Sequence, residues 1–159
     1  MITLRKTGCM TRRTRHHPLI ALAFAGSVAL ASPAVAHHSF AMYDMSATTT
    51  MTGKLTRFVP GSNHAQLFFE VLGEDGHVVL KDGKVLVWGV ETGSAAAIAR
   101  QGITVKSFPP GTILTVSLHP LRDGRPLGAI GGPIIHCGKA LPAGGCNGKT
   151  GKSFGAAAN

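Results

Sequence analysis

The sequence predicts a small, mainly β domain in which five strands close into a barrel, with one short helix between the third and fourth strands. Three observations support this fold class. Short segments alternate apolar and polar residues with the period of two that is typical of half-buried strands. Clusters of Gly, Pro, Asn and Asp separate these segments. Only one segment has a helical pattern, and it follows the third strand segment.

The first three strands are predicted from this alternation. Residues 48–59 are rich in Thr and alternate with apolar residues. Residues 65–72 have one apolar face (Leu67, Phe69, Val71) and one mixed face (Gln66, Phe68, Glu70). Residues 84–91 are apolar on both faces except at their ends, so we expect this segment to be the central and most buried strand.

The helix and the last two strands follow in order. Ser94 is a good N-cap for a helix at 95–101, which Gly102 ends. Residues 112–119 alternate again, and 126–136 form a Gly-rich last strand in which bulges are expected. Three strands, a helix and two strands are the element order of the OB-fold, a five-stranded antiparallel barrel. A small open sheet or a sandwich is the main alternative.

The first 36 residues have the pattern of an export signal. An apolar run at 19–31 is followed by the small residues of a cleavage site, Ala34 and Ala36, and is too short to span a bilayer. A basic region precedes the run (Arg12, Arg13, Arg15). We therefore expect cleavage before His37 and a periplasmic or secreted protein without a transmembrane segment.

The predicted domain organisation is a signal peptide at 1–36, a β-barrel domain at 37–137 and a flexible Gly- and Ala-rich tail at 138–159. Removal of the signal leaves 11 Lys and Arg against seven Asp and Glu, a formal net charge of +4. These cations are scattered along the sequence, whereas nucleic-acid binding needs a concentrated basic stripe. A nucleic-acid partner is therefore not expected.

Two cysteines, Cys137 and Cys146, follow the predicted cleavage site. In an oxidising compartment an even pair favours a disulfide, which would contribute about 2.5 kcal/mol by closing a short loop. The alternative is a metal site made of both cysteines and His136, although thiolate metal sites usually have closer spacing or more ligands.

Several short motifs lie between residues 37 and 130, and the most specific of them is HPLRDG at 119–124. The others are HHSF at 37–40, Thr52-Gly53 with Phe58, Asn63-His64-Ala65, WGVE at 88–91, Arg100-Gln101-Gly102 and Pro110-Gly111. Together these motifs resemble a family of small exported bacterial proteins known as domain of unknown function 6152. The resemblance implies an exported, compact β-rich domain, and it implies no activity. Ser62-Asn63-His64 stands where the family usually has Asn-Pro-His, and Ile103 where it often has Trp.

The candidate metal ligands are concentrated at the predicted mature N-terminus. After cleavage, His37 would offer an α-amine, a backbone amide and an imidazole, a nitrogen set that binds Cu(II) strongly. Thioethers follow at Met42 and Met45, and thioethers suit Cu(I). The predicted ligand set for copper or another metal is His37, His38, Met42, His64 and His119.

Three of these residues also have an ordinary structural interpretation. His64 can cap its own turn, His119 can hydrogen-bond a backbone carbonyl, and Met42 can plug the end of the barrel. The sequence contains none of the common hydrolase motifs or phosphate-binding loops, so no enzyme is predicted. The functional prediction is a non-catalytic binding or accessory module with an envelope protein or a small ligand as partner. The alternative is a structural or interaction domain that binds an envelope protein or a saccharide, and a copper-dependent oxidoreductase is a third hypothesis.

Overall fold

The computed structural model describes residues 40–155, so the predicted signal peptide, His37 and His38 lie outside the described residues. Within this range no helix is long and apolar enough to cross a membrane. The elements are β1 (Thr49–Val59), β2 (Gln66–Val71), β3 (Leu80–Lys81), β4 (Lys84–Val85), β5 (Val87–Glu91), α1 (Ala95–Ala99), β6 (Ile113–Pro120), β7 (Leu127–Ile130), β8 (Ile134–His136) and β9 (Lys152–Phe154).

Five of these strands close into a barrel. They are joined in the order β1, β2, β5, β7, β6, and β6 pairs with β1 to complete the ring. The pairs are antiparallel except for β5 and β7, which run parallel. The helix α1 lies between β5 and β6, the third and fourth barrel strands in the sequence. The predicted OB-like barrel with one short helix is therefore confirmed.

The inner faces of the strands form the core as the alternation predicts. Leu67 and Phe69 of β2 are fully buried, as are their counterparts on β6 (Leu114, Val116, Leu118). A bulge in β1 shifts the register so that Leu55 lies opposite Phe69 and Arg57 opposite Phe68. The additional residue, Thr56, donates its hydroxyl to the Phe68 carbonyl over 2.9 Å. A bulge of this kind bends the strand and restores inward packing beyond it.

One end of the barrel is covered by α1 and the loop that follows it. The Ser94 hydroxyl accepts a hydrogen bond from the Ala97 amide at 3.2 Å, as expected for an N-cap. Ile98, Ile103 and Phe108 are buried in the same core as the inner strand residues. Because so short a helix is unstable alone, packing of Ile98 against the sheet is what holds it.

The expectation of one continuous, most buried strand at 84–91 is wrong. Lys84–Val85 belongs instead to a separate two-stranded hairpin with Leu80–Lys81. Its turn residues Asp82 and Gly83 both have positive φ, 53° and 72°, as a tight hairpin turn requires. Val87 is exposed, and only the end of β5 is buried. In a closed barrel every strand has one face toward the core and one face toward solvent. A strand with apolar residues on both faces is therefore not necessarily buried on both.

The predicted last strand at 126–136 is divided in two. β7 and β8 both pair with β6, and residues 131–133 interrupt them. Pro133 has no backbone N–H to contribute to a ladder, and Gly131 and Gly132 precede it. The expected irregularity of this Gly-rich segment is therefore present as a break in the strand.

Residues 138–155, the part of the predicted tail that the structure describes, do not form the flexible segment that their composition suggests. Lys152–Phe154 forms β9, which pairs antiparallel with β8. The Phe154 ring contacts the Phe108 ring edge-on, with centroids 5.1 Å apart. Cys137 and Cys146 are bonded as predicted, with Cα atoms 5.8 Å apart. One aromatic residue and one disulfide therefore fix a segment whose other residues are mostly small or polar.

Candidate functional site

The candidate site lies on the outer wall of the barrel, where residues 40–47 cross it. We call these residues the N-terminal segment. Tyr43 anchors the segment: it is 2% exposed and packs with Leu121 and Ala129 in a small cluster outside the main core. Backbone hydrogen bonds hold the segment on either side, from the Asp44 amide to the Pro120 carbonyl (2.8 Å) and from the Arg122 amide to the Met42 carbonyl (2.9 Å).

The strand register places the chemically relevant side chains in one row beneath this segment. Gln66 lies opposite Glu91, Glu91 opposite Ala129, and Ala129 opposite His119. Directly opposed residues share a face of the sheet, and this face is the outer one because the alternating neighbours are buried in the core. With strands about 4.8 Å apart, Glu91 and His119 are about 10 Å apart along the row.

His64 stands just before β2, next to Glu91. Its Nδ1 lies 3.1 Å from the Thr92 carbonyl and 3.5 Å from Glu91 Oε1. Glu91 is held in turn by Gln66, whose Nε2 donates to Oε2 at 3.3 Å. A carbonyl oxygen can only accept, so Nδ1 carries the hydrogen and Nε2 of the neutral ring keeps a lone pair.

His119 has the same arrangement. Its Nδ1 donates to the Ala47 carbonyl at 2.8 Å, which leaves the lone pair on Nε2. Gly131 packs against the ring, and a methyl group at that position would lie 3.1 Å from Nε2. His136 differs, because its Nδ1 accepts from the Gly138 amide at 3.2 Å and the hydrogen is therefore on Nε2. His64 and His119 are thus oriented as metal-binding imidazoles usually are, with the second nitrogen bound to a carbonyl.

Two neighbouring cavities open beside these histidines. The smaller, about 140 Å³, is lined by Tyr43, His64 and Glu91. The larger, about 500 Å³, is lined by Met45 and His119. They share four lining residues, namely Phe40, Thr92, Gly93 and Ile130. Phe40, 56% exposed, therefore borders both cavities at the point where the described chain begins.

The structure brings together part of the predicted ligand set. His64 and His119 lie beside adjacent cavities, whereas Met42 lines neither of them. His37 and His38 are outside the described residues. Within residues 40–155, no group of three or more His, Cys, Asp or Glu side chains is arranged to hold a metal ion.

The sequence did not indicate that Glu91 or Tyr43 belongs to the site. Glu91 faces His64 and Gln66. Met45 was recognised as a thioether beside Met42 but was not included in the predicted ligand set. Their positions depend on the register of β5 with β7 and on the path of the N-terminal segment, and neither is encoded locally.

Tyr43 carries a buried hydroxyl for which the described residues offer no hydrogen-bond partner. Burial is the main cause that raises the pKa of Tyr43 above its ordinary value of 10.0, and the nearby Glu91 carboxylate adds to it. Because the protein contains one tyrosine, ultraviolet absorbance should report this pKa directly.

We predict that Tyr43 titrates above pH 10.0 in the folded protein. A raised folded pKa contributes stability that is complete below the unfolded pKa and is lost as the pH rises through the folded pKa. The unfolding free energy should therefore fall more steeply with pH in this alkaline range in wild type than in Tyr43→Phe. Denaturant unfolding at several alkaline pH values measures the difference, and identical slopes would contradict the prediction.

The fold and this wall together define a small OB-type barrel protein with two carbonyl-oriented histidines under its N-terminal segment. Residues 26–130 match the family described as "Family of unknown function (DUF6152)", and the chain belongs to that family. The match includes all five barrel strands and both histidines, and it ends before β8, the disulfide and β9. No curated protein and no solved structure matches the chain.

Proposed function

We propose that this protein is an exported, non-catalytic module that binds copper on the outer wall of its barrel. The observation that carries the proposal is the matched orientation of His64 and His119, whose Nδ1 atoms donate to backbone carbonyls at 3.1 and 2.8 Å. Outer-shell bonds of this kind fix the tautomer and leave Nε2 for a metal. Copper heads the affinity order of divalent metals for such nitrogen sites.

The position of Phe40 connects the wall to the predicted mature N-terminus. Phe40 borders the cavities of both histidines, and His38 precedes it by two residues. Two residues span at most about 7 Å and three at most about 11 Å, so chain length permits the imidazole of His38 and the imidazole and α-amine of His37 to reach either cavity. Export through the predicted signal peptide would generate that amine and bring the protein to the envelope, where we expect it to act.

The test is a Cu(II) titration of the protein produced from its full sequence in a bacterial host, with its N-terminus determined by mass spectrometry. We expect a dissociation constant tighter than about 1 µM. His64→Ala or His119→Ala should weaken it by at least about tenfold. His77→Ala is the matched control, because His77 is an exposed histidine that lines neither cavity. Equal affinities for all four proteins would contradict the proposal.

A second candidate, a domain that binds a saccharide, is favoured by a different feature. A cavity of about 760 Å³ lies between the disulfide loop and the edge formed by β1 and β2, and Thr50, Thr52 and Asn147 line it. Hydroxyl and amide groups are suited to sugar hydroxyls. Saccharide binding that is lost on reduction of the disulfide, in a protein without copper affinity, would favour this candidate.

A further inference from the structure

The two cavities beside Phe40 differ in the chemistry of their donor atoms. The smaller one presents the His64 imidazole and the Glu91 carboxylate, which are a nitrogen and an oxygen donor. The larger one presents the His119 imidazole and the Met45 thioether, which are a nitrogen and a sulfur donor. Glu91 lines only the first cavity and Met45 only the second.

We propose that these cavities are two copper sites that differ in oxidation state, with Cu(II) bound on the His64 side and Cu(I) on the His119 side. This inference rests on the proposed copper binding and specifies its ligand. Thioethers are soft ligands that select Cu(I), whereas imidazole and carboxylate ligands suit the harder Cu(II) ion.

The His64 side is suited to a divalent ion because it carries a negative charge. Glu91 Oε1 lies 3.5 Å from His64 Nδ1, so the carboxylate places a negative charge beside the ring. Gln66 holds the other carboxylate oxygen at 3.3 Å and keeps Glu91 in place. The cavity of about 140 Å³ has room for one metal ion and a few water molecules at about 30 Å³ each.

The His119 side is suited to a monovalent, soft ion. None of the described residues that line this cavity is acidic, so it offers no charge to favour a dication. Met45 is 46% exposed, and its sulfur is therefore accessible to a metal from solution. Gly131 has no side chain to cover Nε2 of His119.

The experiment measures Cu(II) affinity and, under anaerobic reducing conditions, Cu(I) affinity by competition with chromophoric chelators. Glu91→Gln should weaken Cu(II) binding by about tenfold or more and leave Cu(I) binding unchanged. Met45→Leu, which conserves volume at an exposed position, should do the opposite. The matched controls are Glu70→Gln, on the outer face of β2, and Met42→Leu, an exposed methionine, because neither residue lines either cavity.

X-ray absorption supplies a readout that a purely structural effect would not change. A sulfur ligand should be detected in the Cu(I) protein and in Met42→Leu, and it should be absent in Met45→Leu. If both oxidation states bind but Glu91→Gln and Met45→Leu weaken them equally, or if the Cu(I) protein lacks a sulfur ligand, the selectivity is wrong while copper binding stands. If wild type binds neither ion, the proposed function itself is overturned together with this inference.

Discussion

Replacement of Phe108 by Ala should lower the free energy of unfolding by about 3–5 kcal/mol, the range found when a buried aromatic side chain is removed. Phe108 is fully buried under the end of the barrel covered by α1. Its ring also contacts His136 and Phe154 edge-on, with centroids 5.0 and 5.1 Å away. The substitution therefore leaves a cavity in the core and removes the contact that fixes β9.

Denaturant unfolding measures this effect, and Val105→Ala is the control. Val105 lies in the same loop but is 56% exposed, so its truncation should change stability by only about 0.5 kcal/mol. Phe108→Leu keeps most of the apolar volume and should recover part of the loss, which keeps the test informative if the alanine variant fails to fold. A loss for Phe108→Ala no larger than that of Val105→Ala would show that the end of the barrel is not part of the cooperative core.

The barrel was predictable because the local sequence pattern of each strand indicates which of its residues are buried. In β2 and β6 the alternation of residues such as Phe69 and Val116 with polar neighbours distinguishes an inner from an outer face, and Ser94 marks the helix. The same local interpretation is wrong at Val87. An apolar run on both faces of a strand does not show whether the sheet closes into a barrel and leaves the outer face in water. The local interpretation is also wrong for the tail, because the order of β9 depends on a distant contact between Phe154 and Phe108.

The candidate site was predictable only in part, for a related reason. His64 and His119 were candidates because imidazoles beside a turn and at a strand end are easy to recognise. The position of Glu91 beside His64 depends on pairing between distant strands, and the position of Met45 beside the His119 cavity depends on the docking of the N-terminal segment. A single sequence specifies neither. Tyr43, the anchor of that segment, belongs to none of the motifs recognised in the sequence.

Replacement of Tyr43 by Ala should detach the N-terminal segment from the barrel wall. Removal of the ring should cost about 3 kcal/mol, the lower end of the range for buried aromatic residues, because the cluster around it is small. The barrel core does not include this cluster, so the segment should open locally while the barrel stays folded. Tyr43→Phe keeps the ring, and the hydroxyl it removes has no partner among residues 40–155, so this variant is the matched control.

Hydrogen exchange distinguishes local from global opening. The Asp44 and Arg122 amides bond across the boundary of the segment, to the Pro120 and Met42 carbonyls, and should exchange about 100-fold faster in Tyr43→Ala. The Leu55 amide, which bonds to the Thr112 carbonyl within the barrel, should stay protected while the segment is open and exchange far more slowly than these two amides. Because both cavities include Phe40, copper in either oxidation state should bind Tyr43→Ala more weakly, although no metal ligand has been changed. Unaltered exchange at Asp44 and Arg122 would show that Tyr43 does not hold the N-terminal segment on the barrel wall.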